Sequence, residues 1–93
     1  MTVRWSARAC ANLESIRTYI AEHNPDAATR VGMAIFDAAK KLERFPAIGR
    51  PGRAPGTREL PVLDTPYLII YMLDDILVEI ITVIHGAQRW PPR

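Results

Sequence analysis

Apolar residues recur along the chain with two different periods, and the change of period divides it. Ala9, Leu13, Ile16 and Ile20 follow one another at steps of four, three and four, the spacing of one stripe on an α-helix. Ser6 stands where a helix N-cap belongs, because its hydroxyl can accept from a free N–H of the first turn. Charged Arg8, Glu14, Arg17 and Glu22 fall off the stripe. Asn24-Pro25 ends this helix near His23, since a residue before proline avoids helical geometry. Pro25 suits the first position of a second helix, with Asn24 as its cap and Asp26 in its first turn. Val31, Ile35, Ala38, Leu42 and Phe45 form the second stripe, which Pro46 closes. Ala27, Ala28, Ala34 and Ala39 allow close approach, and the short turn predicts an antiparallel helical hairpin.

The remaining apolar runs read as strands. Thr2 to Trp5 is a short one. Thr57 to Leu63 is another, weakened by Pro61, which cannot donate to a ladder and so marks an edge or a bulge. Tyr67 to Leu73 and Leu77 to Ile84, joined across Asp74-Asp75, predict an antiparallel hairpin. Both are apolar at almost every position, so both faces of their sheet should be covered. The helical hairpin can cover one; the other needs a partner, a tail or a groove wall. Residues 46–57 hold Pro46, Gly49, Pro51, Gly52, Pro55 and Gly56, a density of breakers that predicts a loop without regular elements, long enough to suspect function. The expected fold is α+β in the order β-α-α-β-β-β, a helical hairpin packed on a small antiparallel sheet. One domain over residues 1–93 is expected at this length.

Composition narrows the class. The chain is 48% hydrophobic and 24% charged with a net charge of +2, which excludes intrinsic disorder. Cys10 alone cannot form a disulfide, and with His23 and His85 it cannot supply a structural zinc site. Beside the apolar stripe, Cys10 reads as a small buried hydrophobe. No nucleotide-binding glycine loop appears, so no cofactor is expected. Neither a membrane-length apolar run nor a secretory leader is visible, so the expected location is cytoplasmic and away from membranes. The charge is segregated. Residues 40–58 carry Lys40, Lys41, Arg44, Arg50, Arg53 and Arg58 against Glu43 alone, whereas residues 59–84 carry five acids and no base. Such a basic block attracts an acidic protein or a polyanion, or simply keeps the surface solvated.

Few residues offer chemistry. His85 follows the last strand and, on a two-residue period, shares a face with Val83, Ile81, Glu79 and Leu77. It suits either acid–base work near neutral pH or a structural bond that pins the tail. Arg50, Arg53 and Arg58 suit bidentate anion contacts, or a solubilising role. Tyr67 and Tyr71 share one strand face and are explained by a sheet core. Arg89 and Trp90 can contact a phosphate and a stacked base, or anchor the tail, with Trp90 packed on the sheet.

The order of elements, joined to several local runs, resembles the RelE/ParE superfamily of type II toxin–antitoxin toxins. The runs are Ile16-Arg17-Thr18-Tyr19-Ile20-Ala21 before Asn24-Pro25, then Leu42-Glu43-Arg44-Phe45-Pro46-Ala47-Ile48-Gly49-Arg50 and Gly56-Thr57-Arg58-Glu59-Leu60. Pro66-Tyr67-Leu68-Ile69-Ile70-Tyr71 and Val83-Ile84-His85-Gly86-Ala87-Gln88-Arg89-Trp90-Pro91 complete them. The resemblance implies a growth-inhibiting toxin neutralised by a cognate antitoxin encoded by the adjacent gene, the two forming a hetero-oligomer. Arg50, Arg53, Arg58, Tyr67, Tyr71, Arg89 and Trp90 would then contact antitoxin or target. RelE-like members cleave messenger RNA on the ribosome, for which His85 and Arg58 would be the catalytic candidates. ParE-like members inhibit DNA gyrase and lack that catalytic set. Residues 59–84 carry no base, and Tyr67 stands where a catalytic arginine would be expected just before Leu68-Ile69. That favours the ParE-like reading. A non-toxic antitoxin-binding module is a further alternative.

Overall fold

The computed structural model describes residues 1–92; Arg93, one of the tail's two bases, lies outside them. β1 (Thr2–Trp5) leads into α1 (Ala7–Ala21) and α2 (Pro25–Lys41), followed by β2 (Arg50–Pro51), β3 (Arg58–Pro61), β4 (Tyr67–Leu73) and β5 (Leu77–His85). Both helices start where their caps dictate. Ser6 Oγ accepts from Ala9 N at 3.0 Å, and Asn24 Oδ1 accepts from Ala27 N at 3.0 Å. Gly32 of α2 lies under Arg17 of α1, whose Cδ would stand 3.0 Å from an added Cβ, so the hairpin closes tightly there.

The second apolar stripe ends one step earlier than its period predicts. Leu42, Glu43 and Arg44 donate to the carbonyls three residues back, which tightens the chain to about three residues per turn. Leu42 stays in the core, but Phe45 is rotated out and is 54% exposed. Cys10 is also exposed rather than buried.

The hairpin packs on a five-stranded sheet of order β1-β5-β4-β3-β2. β3, β4 and β5 are antiparallel neighbours. β1 joins β5 in parallel, which makes the sheet mixed. β2 forms inside the segment expected to lack regular structure, pairing Arg50 with Glu59 and Pro51 with Arg58. Beyond Trp5 the outer edge of β5 has no strand partner, and α1 closes it instead. Ser6 Oγ donates to Ile81 O at 2.7 Å, and Asn12 Oδ1 accepts from Val83 N at 3.0 Å and Thr82 Oγ1 at 2.7 Å. Side chains thus satisfy an edge that would otherwise invite another strand.

A bulge between Ile70 and Tyr71 leaves Ile81 unpaired, since Ile70 faces Thr82 and Tyr71 faces Ile80. The extra residue resets the alternation. Val83 therefore faces the helices with Ile80 and Val78, not with Ile81, Glu79 and Leu77 as a strict two-residue period predicts. The main core lies on that face, around Ile35, Leu42, Ile69, Tyr71 and Ile80. On the opposite face Leu68, Ile70 and Ile84 are buried beneath Trp90. The second cover required by two apolar faces is the chain's own tail. No helix among the described residues is long and apolar enough to cross a membrane.

Candidate functional site

Glu59 organises the basic segment. It lies at the centre of β3, is 1% exposed, and was not among the expected site residues. Its carboxylate accepts from Arg53 N at 2.9 Å, Arg53 Nε at 3.0 Å and Arg50 Nη2 at 3.2 Å. Burial pushes its carboxyl up, but the hydrogen bonds and charge from Arg53, with Arg50, outweigh that and hold it below the ordinary 4.5. Arg50 and Arg53, expected as free anion contacts, are therefore both engaged by an internal carboxylate. Their side chains remain 60% and 46% exposed, so the three groups together present one surplus positive charge on a fixed frame. The turn between them is close: Gly52 N donates to Thr57 O at 2.7 Å, and an added Cβ would stand 2.2 Å from Thr57 Oγ1.

Arg58 faces the other way. Its Nη1 donates to Gly49 O at 2.7 Å and Ala47 O at 3.3 Å. Tyr71, opposite Arg58 in the ladder, serves the same stretch of backbone. Its hydroxyl accepts from Gly49 N at 2.9 Å and donates to Pro46 O at 2.7 Å. Burial raises the Tyr71 phenol above its ordinary 10.0, against the lowering effects of the Gly49 bond and the Arg58 charge. Position 49 is glycine because a Cβ would fall 2.7 Å from the Tyr71 ring. Residues 46–49 are thus fastened to the sheet by a buried tyrosine and a half-buried arginine.

His85 and Tyr67 stand at the opposite end of β4. They are direct partners in the ladder, with rings 5.6 Å apart and edge-on at 81°. Burial, with Tyr19 nearby, raises the Tyr67 phenol. His85 Nδ1 accepts from Ala87 N at 3.0 Å, and Gln88 N donates to His85 O at 2.9 Å. Both bonds lie within residues 85–88 and close them into a tight turn. Trp90 packs on Leu68, Ile70 and Ile84, while its indole Nε1 is buried without a partner. Arg89 is exposed and enters no ion pair among the described residues.

The expected residues therefore form three groups rather than one site: Arg50 with Arg53 around Glu59, Arg58 with Tyr71, and His85 with Tyr67 beside the Trp90 tail. Tyr67 and Tyr71 are four positions apart in β4, which separates the His85 and Arg58 rungs by about 13 Å along the strand. No cluster of His, Cys, Asp or Glu fit to hold a metal ion occurs among the described residues. Glu59 and Asn12 were missed. An acid directly after Arg58, where the chain passes from its basic block to its acidic one, was the available signal for Glu59; Asn12 gave none.

Comparison with known proteins bears on the family and the fold. The family model described as the ParE toxin of type II toxin-antitoxin system, parDE, matches residues 3–90. Y4kP of Sinorhizobium fredii is 47% identical over 89 residues, covering 96% of this chain and 92% of that protein. Toxin RelE2 of Caulobacter vibrioides is 41% identical over 86 residues, covering 92% and 96%. Among solved structures, one from the chromosomal ParDE TA system of P. aeruginosa superposes with a TM-score of 0.84 at 23% identity, over 91% of this chain and 95% of that one. A second, from the toxin-antitoxin complex RelBE2 of Mycobacterium tuberculosis, gives 0.66 at 29% identity, over 90% and 95%. At 23% identity the first likeness speaks for the fold alone. The family match and the relatives carry the assignment: the chain belongs to the ParE toxin family and is a type II toxin–antitoxin toxin of the ParE/RelE superfamily.

Proposed function

We propose that this toxin arrests growth by inhibiting DNA gyrase, rather than by cutting messenger RNA, and that a cognate antitoxin encoded beside it holds it inactive in the cytoplasm. The observation that carries the reading is the separation of Arg58 from His85. Cleavage through the 2′-hydroxyl needs a base, an acid and a cation around one phosphate. Here the two candidates stand about 13 Å apart along β4, with Arg58 turned to the carbonyls of Ala47 and Gly49 and His85 bonded to its own tail. β4 and β5 add no Lys or Arg that could serve as the cation. The antitoxin partner is supported by the solved relatives, one of which comes from a toxin–antitoxin complex. In this reading the whole chain acts as one toxin domain. Arg50, Arg53, Tyr67, Tyr71, Arg89 and Trp90 serve it by shaping and charging the surface that antitoxin or target meets.

The test pairs two assays on the purified chain. Inhibition of gyrase supercoiling, relieved by the neighbouring gene's product, is expected. Intact supercoiling together with messenger cleavage in a ribosome assay would overturn the reading. A His85→Ala variant that keeps full toxicity agrees with it.

A further inference from the structure

Phe36 stands midway along an apolar trough between the two helices that opens toward β1. It lines all three of the hollows that adjoin there, from Met33 at one end, past Leu13, to Trp5 at the other. Met33 and Phe36 are three apart on α2 and so share one face of it. They are 55% and 49% exposed, and neither belongs to the core. Leu13 and Trp5 are half-buried. Two helices thus hold large apolar side chains open to water along a rigid seam, closed tightly beneath by Gly32 against Arg17.

The rim of the trough is charged, and its charges cancel. Gly32 and Lys40 are each four residues from Phe36, about 6 Å to either side along the helix. Arg17, packed on Gly32, marks one end, with Glu14 one turn of α1 back toward Phe36. Lys40 and Glu43 mark the other end. Each end therefore carries one base and one acid. None of the four takes part in an ion pair among the described residues. The basic segment is different, since there Arg50 and Arg53 already meet Glu59.

That balance selects an occupant. A strongly acidic or strongly basic partner would meet half of this rim as like charge. A second copy of the chain, turned about a two-fold axis through Phe36, meets it as opposite charge. Its Lys40–Glu43 end lies over the Arg17 end of the first copy, so Glu14 faces the partner's Lys40 and Arg17 faces the partner's Glu43. Each pair then occurs twice, as a two-fold interface requires. The two Phe36 rings meet at the axis, where an aromatic pair adds to apolar burial. A net charge of +2 opposes the approach only weakly. We propose that the free toxin associates with a second copy of itself through this trough, as a two-fold dimer centred on Phe36. A specific interface takes about 500–800 Å² from each side, about a tenth of the chain's 6044 Å². A trough two helices wide supplies the lower figure, so the dimer is weak and forms in the micromolar range. The association does not depend on which target the toxin meets.

The purified chain and its Phe36→Glu, Lys40→Glu and Glu14→Lys variants are followed by sedimentation velocity over a concentration series. Thermal midpoint and capture by the adjacent gene's product are measured alongside. Wild type should pass from monomer to dimer in the micromolar range. Phe36→Glu should stay monomeric, with midpoint and antitoxin capture unchanged. Lys40→Glu and Glu14→Lys should each raise the dissociation constant about tenfold, because each reverses two symmetry-related pairs. Mixed in equal amounts, the two variants should regain wild-type association, since the altered charges then face each other across the axis and the native ones do the same. A charge effect confined to one chain is not rescued by mixing. The proposal is overturned by a wild-type chain that stays monomeric at millimolar concentration, by a Phe36→Glu dimer as tight as wild type, or by a mixture that associates no better than its parts. Loss of antitoxin capture in Phe36→Glu overturns it as well, because the trough then belongs to the antitoxin.

Discussion

The segments 45–57 and 86–92 look alike in composition, both being rich in proline, glycine and arginine, yet they are held in opposite ways. The first is gripped from beneath by side chains of the sheet: Tyr71, Arg58 and the buried carboxylate of Glu59. The second is held largely by its own turn at His85, by Gly86 N donating to Pro66 O at 2.6 Å, and by Trp90 lying on the second sheet face. The difference lies in the strands below, not in the loops. Whether an arginine in such a segment is free to bind depends on what the neighbouring strand points at it. Arg50 and Arg53 meet an acid, Arg58 meets carbonyls, and Arg89 meets neither among the described residues.

The strongest way to break the contrast is to remove the cations above Glu59. In Arg50→Ala, Arg53→Ala the carboxylate keeps only the Arg53 backbone N–H, at a cost of about 2–3 kcal/mol for a charged group that loses its side-chain partners. Urea denaturation should show that loss as a lower midpoint. Adding Glu59→Gln to that variant should recover much of it, because the exposed arginines were never the costly partners. A midpoint unmoved by the double substitution would mean the clamp is ornamental. Tyr71→Phe should cost about 1–3 kcal/mol, since it strands Gly49 N–H and Pro46 C=O without partners, and hydrogen exchange should accelerate at Gly49 while β4 remains protected. On the tail, Trp90→Ala should cost about 1–2 kcal/mol through lost cover of Leu68, Ile70 and Ile84. Trp90→Phe should be close to neutral, because it also deletes an indole N–H that has no partner. The smallest effect is on acid stability. Glu59 titrates below 4.5 when folded, so its contribution is complete above that value and is lost as pH falls through the folded value. The wild-type midpoint should stay level from about pH 7 to about 5 and then drop more steeply than that of Glu59→Gln. Some of the drop should persist in the variant, since Asp74, which accepts from Ile76 N and Leu77 N, is also held low by those bonds.

Features set within a few residues were legible in advance. Ser6 and Asn24 cap helices by reaching three residues forward, and the run Tyr67–Leu73 forms its strand as expected. The α+β architecture follows from those periods. Features that depend on two distant segments were not legible. β2 exists because Arg50 finds Glu59 across the loop, and no local pattern announces a two-residue strand. Phe45 keeps the helical spacing in sequence, but the tightened turn at 42–44 takes it out of register. His85 kept its predicted strand-end position, yet a bulge at Ile81 changed which neighbours share its face. The site was the least legible part, because what each arginine does depends on a partner on another strand, Glu59 for Arg50 and Arg53 and the 47–49 carbonyls for Arg58.

The parallel pairing of β1 with β5 also sets an order in time. Thr2 to Trp5 lie against Leu77 to Ile80, so the first strand translated is completed by the last strand of the sheet. Asn12 likewise waits for Thr82 and Val83. Such distant closures are slow to form and cannot start before both ends exist. Every newly made chain therefore passes through an interval in which its helical hairpin can assemble but its sheet cannot close. A nascent toxin in that interval lacks its finished surface, and production of the polypeptide precedes its capacity to harm.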